Sequence, residues 1–267
     1  MSWDDRQRAM LAEMGFRLPA RAPQAVAHDD DADVAVAVAE PPARPAPAPA
    51  PAPVIARAPA PVAVPAPAPR GPAGADPFAT LDEPALRDAV ANCRVCGLCE
   101  QRRHAVYGGG ALQQVQWLVV TDPPDEADDA AGAPFIGDAG RLLDRMLAAA
   151  GQGRGGDAPT AFVTPIVKCR PPRGRAPQPA EFDACEAVLA RQAQLLQPRL
   201  VLAMGLQAAR RLTGLAEPLG RLRGRVHTWQ ALPLVVTYHP AYLLRTPADK
   251  AGAWDDLRLA QAAVAAR

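Results

Sequence analysis

Apolar positions in the C-terminal two-thirds of the chain follow two alternating rhythms. Short, largely β-branched runs at 115–120 (VQWLVV), 161–167 (AFVTPIV), 200–204 (LVLAM) and 234–237 (LVVT) read as strands covered on both faces, since near-continuous apolar character is what such a strand needs. Between them, 140–150, 179–196 and 206–212 carry helical patterns. Two more helices are predicted outside the runs, at 81–92 and at 250–264 around Trp254 and Leu257. Strand and helix in regular alternation predict the α/β class: a three-layer α/β/α domain with a central, mainly parallel four-stranded sheet. In open sheets of this kind ligands sit beyond the carboxyl ends of the strands. Chemistry is therefore expected in the segments TDPPDEADDAAGAPFIG, KCRPPRGR, MGLQA and YHPAYLLR.

The rhythm is absent from the N-terminal part. More than half of the 31 prolines fall in the first 80 residues, where Ala and Pro alternate and aromatics are nearly lacking. Such a segment cannot bury enough surface to offset its ordering entropy, so 20–75 is expected to be a disordered, polyproline-like linker. Ahead of it, residues 1–19 hold Met10, Leu11, Met14 and Phe16 near helical spacing and predict a short amphipathic helix. Cut off by the linker, that helix reads as a tethered peptide for a protein partner, the alternative being that it docks back on its own domain. The folded domain is expected over 76–267.

Charge adds a little. The formal net charge of +1 is uninformative, but Lys168 to Arg175 holds four basic residues without an acid, and Arg210 to Arg245 holds six arginines against Glu217. Patches of this kind suit phosphate, although an Arg-rich composition alone also produces them. The charged N-terminus is unlike a signal peptide and no apolar run reaches membrane-spanning length, so a soluble, cytoplasmic protein without membrane contact is expected.

Five cysteines, three of them in CRVCGLC, suit metal ligation in a reduced compartment better than a disulfide framework. Thiolates two residues apart reach one centre from a single turn, in zinc and in iron–sulfur sites alike. A four-ligand site would gather Cys169 and Cys185 with two of Cys93, Cys96 and Cys99, and spacing does not say which of the three is spare.

The four post-strand segments bring acids (Asp122, Asp125, Glu126, Asp128, Asp129), Phe135 after a proline, an arginine-rich turn, and His239 ahead of Tyr242, Leu243, Leu244 and Arg245. The blocks APFIGDAGRLLDRML, VKCRPP, LVLAMG and TYHPAYLLR, with the Cys169–Cys185 spacing, resemble the uracil-DNA glycosylase superfamily, most closely its family-four enzymes, which carry a [4Fe-4S] cluster. The resemblance spans about 92–257. It implies a DNA-binding, base-excision repair hydrolase that flips a deaminated base out of the stack and hydrolyses its N-glycosidic bond. It also implies that Cys93, Cys96, Cys169 and Cys185 hold the cluster and that Cys99 is spare; on the cysteine spacing zinc remains the alternative metal. By the same match Asp122 and His239 are the catalytic pair and Phe135 stacks on the base. Arg170 meets phosphate, and Tyr242 to Arg245 enter the minor groove with Leu243 or Leu244 as a wedge.

Two positions depart from the family pattern. Thr121-Asp122-Pro123-Pro124-Asp125 stands where the family has Gly-Glu-Ala-Pro-Gly, which keeps a shorter carboxylate and loses both glycines. Pro165 stands where the family has the asparagine that reads uracil, and proline offers no side-chain donor or acceptor. Thr164 is next to it, but strand neighbours point to opposite faces. Two functions are therefore weighed: a glycosylase of weak or altered base specificity, and a catalytically degenerate member that binds DNA or a protein through its fold and tethered helix. A zinc-stabilised α/β domain unrelated to DNA is the third alternative.

Overall fold

A computed structural model describes residues 77–266. The expected helix at 1–19 and linker at 20–75 lie outside the described residues. Six strands form one sheet in the order β1-β3-β2-β4-β6-β5. They are β1 (Gly109–Gly110), β2 (Trp117–Thr121), β3 (Ala161–Pro165), β4 (Leu200–Met204), β5 (Val226–Trp229) and β6 (Leu232–Thr237). The inner four, β3-β2-β4-β6, are parallel throughout, and β1 and β5 close the two edges antiparallel.

The sheet therefore has six strands where four were expected. Both additions escape periodicity for physical reasons. β1 is a pair of glycines with no apolar signal. β5 joins β6 through Gln230 and Ala231, both at positive φ (47° and 66°), a primed-type hairpin turn normally signalled by Asn or Gly.

Eight helices are described: α1 (Glu83–Ala91), α2 (Glu126–Ala131), α3 (Asp138–Ala149), α4 (Pro179–Leu196), α5 (Leu206–Thr213), α6 (Leu219–Leu222), α7 (Pro240–Arg245) and α8 (Lys250–Ala265). Their ends follow local chemistry. Asp82 caps α1 by accepting from the Ala85 N–H at 3.0 Å. Gln178 and Glu181 form a capping box at α4, with Pro179 in its first turn.

Alternation along each strand feeds two cores. Leu118, Val120, Phe162, Val201, Ala203, Leu234 and Val236 pack with residues of α1, α4, α5 and α6. Trp117, Val119, Val163, Leu202, Met204 and Val235 pack with α3, α7 and α8. This three-layer arrangement sets the faces on which the site is read. Thr164 belongs to the α4 face, whereas Pro165, in register with Val163, belongs to the face of α3 and α7. Among the described residues no helix is long and apolar enough to cross a membrane.

Candidate functional site

Phe135 occupies a backbone well that few bulky residues adopt, with φ at +59°, and such a conformation persists only where its surroundings enforce it. The surroundings are specific. The Arg154 guanidinium donates to the Pro134 carbonyl at 3.0 Å and lies 3.4 Å from the Phe135 carbonyl. It is itself oriented by Asp144 at 2.6 Å. The Asp128 carboxylate accepts from the Ile136 N–H at 3.0 Å. Gly140, in the first turn of α3, leaves room for the Phe135 carbonyl oxygen, which any Cβ there would overlap.

The Phe135 ring so held is buried and stacks on His239, with centroids 5.1 Å apart and planes 22° from parallel. His239 ends the chain's run out of β6 and caps α7. Its Nδ1 accepts from the Ala241 N–H at 3.2 Å, which places the neutral ring's proton on Nε2. Burial lowers the imidazole pKa to about 4; the Asp125 charge opposes that and Arg245 adds to it. At neutral pH the site therefore presents an uncharged imidazole whose Nε2–H is a donor.

Asp122 is turned elsewhere. It follows β2 and faces the N-terminus of α5, where one carboxylate oxygen accepts from the N–H groups of Gln207 (2.8 Å) and Ala208 (2.9 Å). Gly205, at φ +105°, makes the space, since a Cβ there would overlap the carboxylate. Burial pushes the Asp122 pKa up to about 6, against the pull of the N–H groups of Ala208, Gln207 and Leu206. Asp122 and Arg170 share an open cavity of about 340 Å³ with Asp125, Glu126 and Arg175. Phe135 lines a different one, of about 600 Å³, between the β1 glycines and the 152–155 loop. The structure thus stacks Phe135 on His239, while Phe135 and Asp122 line different cavities and His239 lines neither.

Pro165 ends β3 in register with Thr121. Its missing N–H costs no ladder bond, because β1 pairs only with Val163 and Phe162, while Ile166 N–H continues the ladder to Thr121 at 2.8 Å. Its carbonyl accepts from the buried Lys168 ammonium at 2.8 Å. Lys168 also donates to Thr164 Oγ1 at 2.5 Å and Gln192 Oε1 at 2.9 Å. The Thr164 hydroxyl in turn donates to the Tyr107 carbonyl at 2.8 Å. Thr164 is committed to this interior network on the α4 face.

The remaining expected interface residues separate by exposure. Tyr242 donates to Asp249 at 2.6 Å and stacks on Tyr238 with centroids 5.1 Å apart. Leu243 is 1% exposed and belongs to the core, so it is not placed to act as a wedge; Leu244, at 44%, is the exposed member of the pair. Arg245 is exposed. Arg170 pairs with Glu126 at 3.1 Å across the cavity rim, an exposed pair of the kind that contributes little and yields to a stronger anion. Gly140 and Arg154, which hold the Phe135 turn together with Asp128, escape sequence reasoning as site residues; the closest signal is the glycine that opens the helix expected at 140–150.

All five cysteines line one cavity, together with Arg102 and Lys168. Cys169 and Cys185 are buried and Cys93, Cys96 and Cys99 half-buried, all as free thiols. Among the described residues no three His, Cys, Asp or Glu side chains converge tightly enough for a metal ion. Thiolates on one zinc lie about 4 Å apart, given Zn–S bonds of about 2.3 Å. Five thiols lining one cavity are also the kind of donor set that holds an iron–sulfur unit, in which each iron takes one sulfur. Arg102 Nη1 donates to Cys169 Sγ at 3.0 Å. Burial pushes the Cys169 thiol up to about 11, and Arg102 pulls it back.

Comparison with known proteins bears on the same residues. The family model for the uracil DNA glycosylase superfamily matches 108–258. A type-4 uracil-DNA glycosylase of Pyrobaculum aerophilum is 36% identical over 187 residues, covering 67% of this chain and 93% of that protein. One from Saccharolobus solfataricus is 30% identical over 190 residues, 68% of this chain and 86% of that protein. A third, from Thermotoga maritima, is 33% identical over 167 residues, 62% and 84% respectively.

Proposed function

The chain belongs to the uracil DNA glycosylase superfamily, and on that premise we propose that it is a DNA-repair glycosylase of weak or altered base specificity. The observation that carries this reading is the Phe135–His239 stack, held by a strained backbone and fixed in tautomer. A flipped base needs an aromatic platform at the pocket, and a departing base needs a donor aimed at the charge it develops. Neutral His239 supplies that donor through Nε2–H without adding a proton to the leaving group. Leu244 and Arg245 stand outside on α7, where a wedge and a phosphate contact hold the duplex open, and Arg170 gives up Glu126 for a phosphate.

Specificity is altered because Pro165 puts a ring where a side-chain amide would read the base edge. A site that hydrogen-bonds its ligand discriminates by about 10⁴ or more, and a site that only stacks does not. Cys93, Cys96, Cys169 and Cys185 hold a [4Fe-4S] cluster in this reading, and Cys99 is spare. The likeness to type-4 uracil-DNA glycosylases supports the cluster over zinc. Bound there, the cluster fixes the segment that runs from Pro165 to the arginines of the 170–175 turn.

A second reading has its own observation: Asp122, expected as one of the catalytic pair, is engaged at the N-terminus of α5. A degenerate member that binds DNA without cutting it would look the same there. Single-turnover excision on oligonucleotides containing uracil, hypoxanthine or xanthine separates the two. Cleavage of at least one substrate, reduced about 10² to 10³-fold in His239→Asn, supports the glycosylase; asparagine is used because it can still cap α7. No cleavage of any of them by cluster-loaded protein overturns it. Salt-dependent DNA binding that is lost on replacing Arg170 and Arg245 would then support the binding module.

A further inference from the structure

The cysteine cavity is assembled from chain segments far apart in sequence, and one side chain spans them. Arg102 lies just beyond the short turn Gly97–Glu100 that carries Cys99. Its Nη1 donates to Cys169 Sγ at 3.0 Å. Its Nη2 donates to the Ala91 carbonyl at 2.7 Å, at the end of α1 and two residues before Cys93. The other cation of the cavity, Lys168, has its ammonium committed to Thr164, Pro165 and Gln192. Among the described residues, Arg102 makes the side-chain hydrogen bond to a cysteine sulfur.

We infer that Arg102 is a positioning residue for the cysteine-held cluster, setting the reach between the Cys93 turn and Cys169 and raising the cluster's reduction potential through its N–H···S bond. The inference rests on the cluster reading above. Its physics is general. A donor and a positive charge at a ligating sulfur stabilise the more negative, reduced state, and outer partners of metal ligands govern retention of the metal. The planar guanidinium matters as well as the charge, because one fork reaches two acceptors at fixed separation.

The experiment uses the full chain purified anaerobically as wild type, Arg102→Gln, Arg102→Lys and Arg103→Gln, the last removing an equal charge from the exposed neighbour. Iron and sulfide content, loss of visible absorbance in a chelator and the potential from a spectroelectrochemical titration are read for each. Arg102→Gln is expected to move the potential negative and to release iron about tenfold faster or more. Arg102→Lys falls between, and Arg103→Gln matches wild type. Wild-type potential and release in Arg102→Gln, or an equal shift in Arg103→Gln, overturns the inference. Where Arg102→Gln assembles no cluster, the lysine variant decides: a negative shift with faster release supports the inference, and wild-type behaviour overturns it. Wild-type protein without iron defeats the cluster reading itself, an outcome distinct from the others.

Discussion

Phe135 and Asp122 lie on the same connection between β2 and α3, yet their polar surroundings are built in opposite senses. Around Phe135, Arg154 and Asp128 hold backbone atoms, and the neighbouring His239 accepts the Ala241 N–H at Nδ1. The Asp122 carboxylate is instead engaged on α5 and the Pro165 carbonyl on Lys168. On the proposed reading the first region acts on a ligand and the second serves the scaffold. Phe135 and Pro165 share one face of the sheet but are held by different contacts, Phe135 by Arg154 and Asp128 and the Pro165 carbonyl by Lys168.

Crowding the Phe135 turn is the strongest way to break this contrast. Gly140→Ala drives a Cβ into the Phe135 carbonyl oxygen, and overpacking of this kind costs about 3 kcal/mol. Denaturant titration should show that loss, with excision falling further than stability alone explains. The same change in an ordinary helical glycine would be neutral or stabilising.

Next in size is the pair on α7. Leu243→Ala removes a core side chain and should cost about 3 kcal/mol in unfolding free energy. Leu244→Ala should stay within about 0.5 kcal/mol and instead weaken binding to duplex DNA. Equal stability losses in the two variants would contradict the assignment of Leu244 to the surface.

How much of this was readable beforehand depends on which physics decides each part. Residues 179–196 and 200–204 are α4 and β4 to the residue, since periodicity and capping act within a few positions. The helices expected from the sequence do not include YHPAYLLR, yet Pro240 at the first helical position and His239 as cap make α7. His239, Phe135 and the cysteines stand out in sequence because chemistry demands those residue types. The Arg154 clamp and the turning of Asp122 toward α5 do not, since both depend on contacts across many residues. Strand alternation alone carries Thr164 to one face and Pro165 to the other, so that distinction is legible in the sequence.

The smallest expected effect concerns Asp122. Its folded pKa of about 6 exceeds the ordinary value of about 3.9, so the folded state binds the proton more tightly. Its contribution to stability is then fully present below about pH 4 and is lost as pH rises through about 6. Asp122→Asn accepts the same N–H bonds without titrating. The melting temperature of wild type relative to this variant should therefore fall between pH 4 and 6. A difference that grows with pH would mean that the carboxylate is stabilised in its charged form.

The central claim is that base reading was given up at Pro165 while the leaving-group apparatus at His239 was kept. Single-turnover excision by wild type and Pro165→Asn, on matched uracil and hypoxanthine oligonucleotides, tests it directly. An asparagine at 165 shares the α3 and α7 face with Phe135, so the uracil-to-hypoxanthine rate ratio should rise at least about tenfold, and His239→Asn in the same background should abolish the gain. A ratio unchanged by Pro165→Asn, or a wild type already strongly selective for uracil, would contradict the account.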